Sequence, residues 1–494
     1  MCNFLKRILL TILVTGILIL STSCERQKKS EEIVKTETTN PFLLITQTLT
    51  EQAISSVQPS ATEFVFPTNN ELPRTKYDLY LWYDYSLGIL NVDYKVTYFN
   101  ATSQDLERIP FVLPFKSVHE FKIGEIFINH ESQPAFEINN NALIVTLLQP
   151  LRIGKSVSIS FTYSITIPDI GGVLGRKNQQ INLADFYPMV PPYSVVDGWI
   201  MHEPGTVGEY LVYELSDFNL ELSTNAPEDI NFFSNSPIKK SDDVYRISAE
   251  NYRNVVISMC TACTRIEKDY GDFTVIGSFD SQDESIGQDA INIIAKALSF
   301  FSELFGVDYP HSEMTIIEAD FPDGMEYDGL FFLSKDYFDH YNKSFKNYLS
   351  LLIVHETAHQ WWFGLVANDQ ASEPWLDEAL ATYSEYLFLE EFYPELLSWW
   401  WDFRINSYNP TGSIDSDIYG FDRVRPYINA VYLRGAVFIH ELRTLLTDDV
   451  FFLCLRQYTE VYQGMVSNAA AFKNIFLPEL TPEVAGLLEK FFDQ

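Results

Sequence analysis

Cationic side chains are scarce in this chain: 34 Lys and Arg stand against 67 Asp and Glu, a formal net charge of -33. Phosphate backbones are bound by clustered Lys and Arg, so nucleic acid is excluded as a partner, and non-specific adsorption to an anionic membrane surface is disfavoured by the same sign. Cysteine is almost as sparse, five in 494 residues, too few for a disulfide scaffold. The apolar run Ile8–Leu20 has 13 residues, short of the roughly 20 that a helix needs to span a bilayer. No repeat of about 20 to 50 residues recurs, which excludes a solenoid.

What is present is enough apolar material for two or three domains, 46% hydrophobic and 15% aromatic. The chain begins with Lys6 and Arg7, the run Ile8–Leu20, small residues Ser21-Thr22-Ser23 and then Cys24, the order of an export signal. This stretch resembles a bacterial lipoprotein signal, with Ser21 where that family has Leu, and the resemblance implies acylation of Cys24. The expectation is a signal peptide over 1–23, a flexible tether over 24–72, and an extracytoplasmic protein held on a bacterial membrane by a lipid on Cys24; a secreted soluble protein is the alternative. Cys260-Thr261-Ala262-Cys263 has half the spacing of a zinc knuckle but no second half, and reads as a short-range disulfide or a pair of thiols.

From 73 to 265 the pattern has period two. Leu90, Val92, Tyr94, Val96 and Tyr98 alternate with polar residues, as do Val157, Ile159, Phe161, Tyr163 and Ile165. Further strands are expected at 142–148, 209–222 and 253–259, giving an antiparallel β-sandwich domain. From 266 to 494 the period changes: a strand at 270–279, a helix from Glu284 to Phe305 closed by Gly306, a strand Thr315 to Glu318, then helices over 344–363, 374–392, 429–447 and 449–463. The expected architecture is a β-sandwich followed by an α+β domain.

The chemistry lies in that second half. His355-Glu356-Thr357-Ala358-His359 puts two imidazoles one helical turn apart on one face. Glu378 follows on the next helix. Two imidazoles and a carboxylate leave a fourth position open on zinc, as a catalytic site requires, and Glu356 stands beside them as general base. Between Asn347 and Phe403 there is no Lys or Arg but there are ten acids, a region suited to a metal dication and a cationic substrate end, or simply a share of the chain's overall acidity.

Four blocks then carry a resemblance: His355 to Phe363, Pro374 to Tyr383, Tyr432-Leu433-Arg434-Gly435-Ala436, and Gly324-Met325-Glu326-Tyr327. In order and spacing they resemble the gluzincin zinc aminopeptidases, the group of aminopeptidase N and leukotriene hydrolase, over roughly residues 70 to 494. The resemblance implies a β-sandwich before a thermolysin-like domain, and one zinc ion on His355, His359 and Glu378 with Glu356 as base. It also implies Tyr432 as donor to the oxyanion, Glu326 with Gly324 and Met325 as the substrate-binding block for a free α-amine, and peptides with a free N-terminus as substrates. Departures are Asp323 for the leading Gly of the Glu326 block, Tyr327 for Asn, Ala379 for Gly, and no Gln-x-x-Glu block for a second amine anchor, where Asp185 is the nearest substitute. The sequence also stops near the end of the family's catalytic domain, so a more open cleft is expected. Runner-up readings are an endopeptidase or other amide or ester hydrolase with the same zinc, and a lipoprotein binding module with a vestigial zinc site.

Overall fold

The computed structural model describes residues 72–115, 121–132, 135–477 and 481–492. The signal, Cys24 and all but the last residue of the 24–72 tether lie outside the described residues. Among the described residues no helix is long and apolar enough to cross a membrane.

The alternating segments form a nine-stranded sheet whose central strands are Thr75–Asp84, Ile89–Phe99 and Ser156–Thr166. Their inward residues, among them Leu79, Val92, Tyr94, Ile159 and Phe161, are buried, as period two on a half-covered sheet requires. A three-stranded sheet of Leu106–Val112, Ala142–Leu151 and Phe136–Asn139 covers that face. Phe111 from it meets the Tyr94 ring edge-on at 6.3 Å, so the two layers share one aromatic core.

Two details differ from the expectation. Thr75–Asp84 runs parallel to Ser216–Thr224, because more than a hundred residues separate them and so long a connection can return the chain in either direction. The strand expected over 209–222 is confined to Ser216–Thr224, and that over 253–259 to Ile257–Cys260. Residues 209–215 and 253–256 do not pair in a ladder, and their polar groups are satisfied from elsewhere. The Tyr213 carbonyl accepts from Arg253 Nη1 at 3.0 Å, the Arg253 amide donates to Asp328 Oδ2 at 2.9 Å, and the Val256 amide to Asn235 Oδ1 at 3.0 Å. The crossover Cys260 to Cys263 then leads into the second half; both cysteines, with Cys454, are free thiols.

The second half has a five-stranded sheet in the order Cys263–Asp269, Thr274–Asp280, Glu313–Ala319, Leu330–Ser334, Gly324–Tyr327. The inner pairings are parallel, and Gly324–Tyr327 lies antiparallel at the edge. Helix α1 (Glu284–Phe305) buries one face on this sheet and ends at Gly306, whose φ of 75° suits glycine and lets its amide bond back to Ser302 O. Helix α2 (Tyr348–Ala358) is shorter than 344–363. It starts where Asn347 Oδ1 accepts the Leu349 amide at 2.7 Å, and it stops because the chain turns after Ala358, with Phe363 at φ 148°. From Leu349 to Ala358 every residue of α2 is buried, so it is a core helix and not an amphipathic one. Helix α3 (Trp375–Phe392) packs beside it. The expected 429–447 helix is continuous in direction but mixed in winding: Asn429–Leu433 is a π-helical turn before α4 (Arg434–Leu446).

Arg253 bolts the halves together. Its guanidinium donates to the carbonyls of Gly364, Leu365 and Met465 as well as Tyr213, at 2.6 to 3.1 Å, all buried or nearly so. The residues described all belong to one compact unit, Phe66–Gln494.

Candidate active site

The pitch of α2 brings His355 and His359 together with Nε2 atoms 3.1 Å apart, although His359 already stands at the helix's C-cap. Glu378, from the first turn of α3, places Oε2 at 3.2 Å from His355 Nε2 and 3.5 Å from His359 Nε2. A tetrahedral ion bonded at about 2.0–2.1 Å sets its ligands roughly 3.3 Å apart, so the three donors fit a zinc-sized cation without rearrangement. The other ring nitrogens are fixed: His355 Nδ1 donates to Glu385 Oε1 at 3.1 Å and His359 Nδ1 to the Trp362 carbonyl at 3.0 Å. Both Nε2 lone pairs therefore face the same point. Burial pushes the Glu378 carboxyl up, but hydrogen bonds from the two imidazoles outweigh it and hold the group at about 2.

Glu385 is a site residue that the sequence reading passed over. It is fully buried, accepts from Trp400 Nε1 at 2.9 Å and from Arg404 Nε and Nη2 at 2.9 to 3.3 Å, and so orients His355 from behind. It lies seven residues after Glu378, two turns along the same face of α3, and that spacing was a usable signal. Arg404 projects from a second π-helical turn, Trp401–Ile405. Both π-turns carry a side chain of the site, Arg404 here and Tyr432 in the other, which matches the usual placement of such turns.

Glu356 is buried, with Oε2 lacking any hydrogen-bond partner. Burial drives its pKa up to about 8 against the lowering effect of the two histidines, so the carboxylate is a stronger base than a solvated one. Gly324 explains its position: a Cβ there would run into Glu356 Oε1, so only glycine lets the edge strand lie against the base. Met325 is partly buried in the same strand, and Glu326 is buried with Oε1 accepting from Gln370 Nε2 at 2.8 Å. Gln370 also donates to Asp377 Oδ2 at 2.9 Å, bridging two acids; nothing in the sequence pattern marked it. Ligand atoms of Glu326, Glu356 and His359 lie within 4.8 Å of one another. Tyr432 donates to Glu378 Oε1 at 2.6 Å and its ring lies parallel to His355 at 6.1 Å.

The departures find partners too. Ala379 Cβ abuts Gly435, which takes up the extra methyl that Gly would lack. Tyr327 donates to Asp185 Oδ2 at 2.8 Å, and Tyr213 to Asp185 Oδ1 at 2.7 Å. Asp185 therefore stands behind Glu326, tied to the residue that replaces Asn.

The scaffold thus buries two helix-borne imidazoles, a helix-borne carboxylate, an unpartnered glutamate and a phenol at one point, an arrangement whose chemistry suits metal-assisted hydrolysis. Residues 289–491 match the Peptidase family M1 domain, in keeping with the resemblance its motifs carry. Over 190 residues it is 30% identical to Aminopeptidase M1-A of Oryza sativa subsp. japonica, an alignment covering 36% of this chain and 22% of that protein. Over 204 residues it is 29% identical to Aminopeptidase N of Mus musculus, covering 37% and 21%. The chain thus spans about a fifth of the length of the curated relatives it matches. Among solved structures, an M1 zinc metallopeptidase from Deinococcus radiodurans aligns with a TM-score of 0.61 at 18% identity over 85% of this chain and 93% of that one. Another structure of that enzyme, a mutant bound to a Tyr-Ser-Ala substrate, aligns with a TM-score of 0.61 at 17% identity, over 84% and 93%.

Proposed function

We propose that the protein is a zinc-dependent aminopeptidase that removes first residues from peptides. The observation that carries this reading is the proximity of Glu326 to Glu356 and His359, all within 4.8 Å. A substrate amine hydrogen-bonded to Glu326 has its own carbonyl carbon only about 2.5 Å away through one Cα, so the bond presented to the base is the first peptide bond.

His355, His359 and Glu378 would hold the zinc. Among the described residues the donor set holds one ion: the two possible ligand groups share His359, which has only Nε2 free. Bound there, zinc supplies Lewis-acid polarisation of the carbonyl and makes water a stronger acid near neutrality. Glu356, through its unpartnered oxygen, accepts the proton of the attacking water and passes it to the leaving amine. The Tyr432 hydroxyl would donate to the oxyanion developing on the scissile carbonyl. Glu326 binds the α-ammonium, charge against charge and out of bulk water. Glu385 holds His355 in the tautomer that offers Nε2 to the ion.

Zinc stoichiometry and hydrolysis of a free aminoacyl substrate beside its N-acetylated form test the reading together. One zinc per chain with hydrolysis of the free form alone is expected; equal cleavage of both overturns the aminopeptidase assignment in favour of an endopeptidase. The finer placement, a lipid on Cys24 holding the enzyme on an extracytoplasmic membrane face, rests on the signal-like order of residues 6–24. Mass spectrometry of the mature N-terminus tests it: a diacyl-type mass increment on Cys24 is expected, and an unmodified peptide running through Cys24 contradicts it.

A further inference from the structure

Glu326 selects the first peptide bond only if it is held at a fixed distance from the metal ligands. Its strand, Gly324–Tyr327, lies at an edge: among the described residues it pairs with Leu330–Ser334 on one side and with no strand on the other. Four residues laddered on one side make a weak ruler by themselves. Two buried glutamines that have no part in the mechanism above supply the missing constraint, Gln360 and Gln370.

Gln360 directly follows the ligand His359. Its Oε1 accepts the Gly329 amide at 2.8 Å and its Nε2 donates to the Tyr327 carbonyl at 3.0 Å, so one side-chain amide clasps both ends of the turn that closes the edge strand. The turn offers one donor and one acceptor, and a primary amide, which carries both in one plane, matches it where a carboxylate or an ammonium does not. The far side of the same turn is held by the β half. The Asp328 carbonyl accepts from Asn235 Nδ2 at 2.8 Å, and Asp328 Oδ2 accepts the Arg253 amide at 2.9 Å.

Gln370 holds the carboxylate itself. Its Nε2 donates to Glu326 Oε1 at 2.8 Å and to Asp377 Oδ2 at 2.9 Å, while Asp377 Oδ1 accepts the amide of the ligand Glu378 at 2.9 Å. Glu326 is thereby tied through two side chains to the first turn of α3. A lysine in this place would take up the charge that Glu326 presents to a substrate ammonium; a neutral amide orients the carboxylate and leaves its charge available.

Resting on the aminopeptidase reading, we propose that Gln360 and Gln370 are positioning residues that set the distance from Glu326 to the zinc ligands, Gln360 from His359 and Gln370 from Glu378. Together they make the site a gauge one residue long, in which an amine one carbon further from the metal-bound group is misplaced.

Three hydroxamates read that gauge by binding alone, through their dissociation constants on the zinc-loaded full chain. Leucine hydroxamate carries its amine on the carbon next to the zinc-binding group. β-Homoleucine hydroxamate inserts one methylene, about 1.5 Å, and N-acetyl-leucine hydroxamate has no ammonium. The unmodified enzyme is expected to bind the first about tenfold or more tightly than either of the others. Gln360→Met and Gln370→Met should each bring the ratio of the first two constants toward one, with the N-acetyl constant within about twofold of its unmodified value. A ratio that persists in the variants, or three constants that rise in parallel, overturns the proposal, since loss of general structure or of zinc weakens all three alike. Leucine and β-homoleucine forms bound within about twofold by the unmodified enzyme overturn it with no variant needing to fold, and leave the aminopeptidase reading intact when the N-acetyl form is still the weakest. Leucine and N-acetyl-leucine forms bound equally overturn that reading and this one with it.

Discussion

The two halves of the molecule bury different things. The sandwich core is aromatic and aliphatic, Tyr94, Phe111, Phe161 and their neighbours, and among the described residues its one charged side chain of comparable burial is Arg253 at the seam. The catalytic half buries His355, Glu356, His359, Asp377, Glu378, Glu385 and Arg404 within two adjoining helices and the turns that follow. An isolated ionised group costs far too much in an apolar interior to be kept without a partner, so buried charge in the second half marks where a cation and a substrate are to be held. The sandwich contributes where it meets that half: Arg253 locks the turn after α2, and Asp185 and Glu209 reach a cavity behind Glu326. The first half is a stable wall, and its chemistry is confined to the seam.

Ways to break that contrast fall in order of size. Replacing Glu356 with Gln removes the base while leaving the three ligands; kcat should fall by about 10²–10⁴-fold with zinc content unchanged by elemental analysis. Full activity in that variant would remove Glu356 from the mechanism. Arg253→Met attacks the seam instead. Its guanidinium serves four carbonyls, of which Leu365 and Met465 also accept a backbone amide, and loss of about 3–5 kcal/mol in denaturant unfolding is expected, with a catalytic half less firmly seated on the sandwich. A loss under about 1 kcal/mol would show that the halves hold together without the bolt. Glu385→Gln keeps the volume behind His355 but weakens the acceptor, and zinc affinity measured by competition with a chelator should drop by about 10–100-fold.

The last effect is a pH dependence of the metal-free protein. Glu356 titrates at about 8 when folded, above its ordinary value of 4.5. A carboxyl raised on folding adds stability that is fully present below the unfolded pKa and is lost as pH rises from 4.5 towards 8. The Gln variant at 356 has no such loss, so its melting temperature relative to the unmodified metal-free protein should climb across that window. A constant difference from pH 4.5 to 8 would show that burial does not tune this base.

How much of this was legible in the sequence follows from the same contrast. His355, Glu356 and His359 are local: helical pitch alone sets them side by side, and Glu378 needed only the next helix. Glu326 and Tyr432 were reached through resemblance, because the edge strand Gly324–Tyr327 and the π-turn Asn429–Leu433 are brought to the metal ligands by tertiary packing. Glu385 was readable from its phase on α3. Gln370 and Glu209 were not, and Asp185 was reached only through resemblance, since each lies in an irregular segment whose direction is fixed by contacts tens to hundreds of residues away, as in the Tyr327 hydroxyl on Asp185 across 142 positions. The misread strands share this cause. Residues 209–215 and 253–256 are rich in Val, Leu and Tyr like strands, but they line the seam, where side chains and Arg253 replace the ladder.

The central claim, that buried charge places the first peptide bond against the base, is tested most directly by mass spectrometry of the products from one unblocked peptide of about ten residues, sampled over time with zinc-loaded enzyme. The account predicts a ladder of products, each shorter by one residue at the N-terminus, with the C-terminal residue retained throughout. Early fragments cut at an internal bond would contradict it.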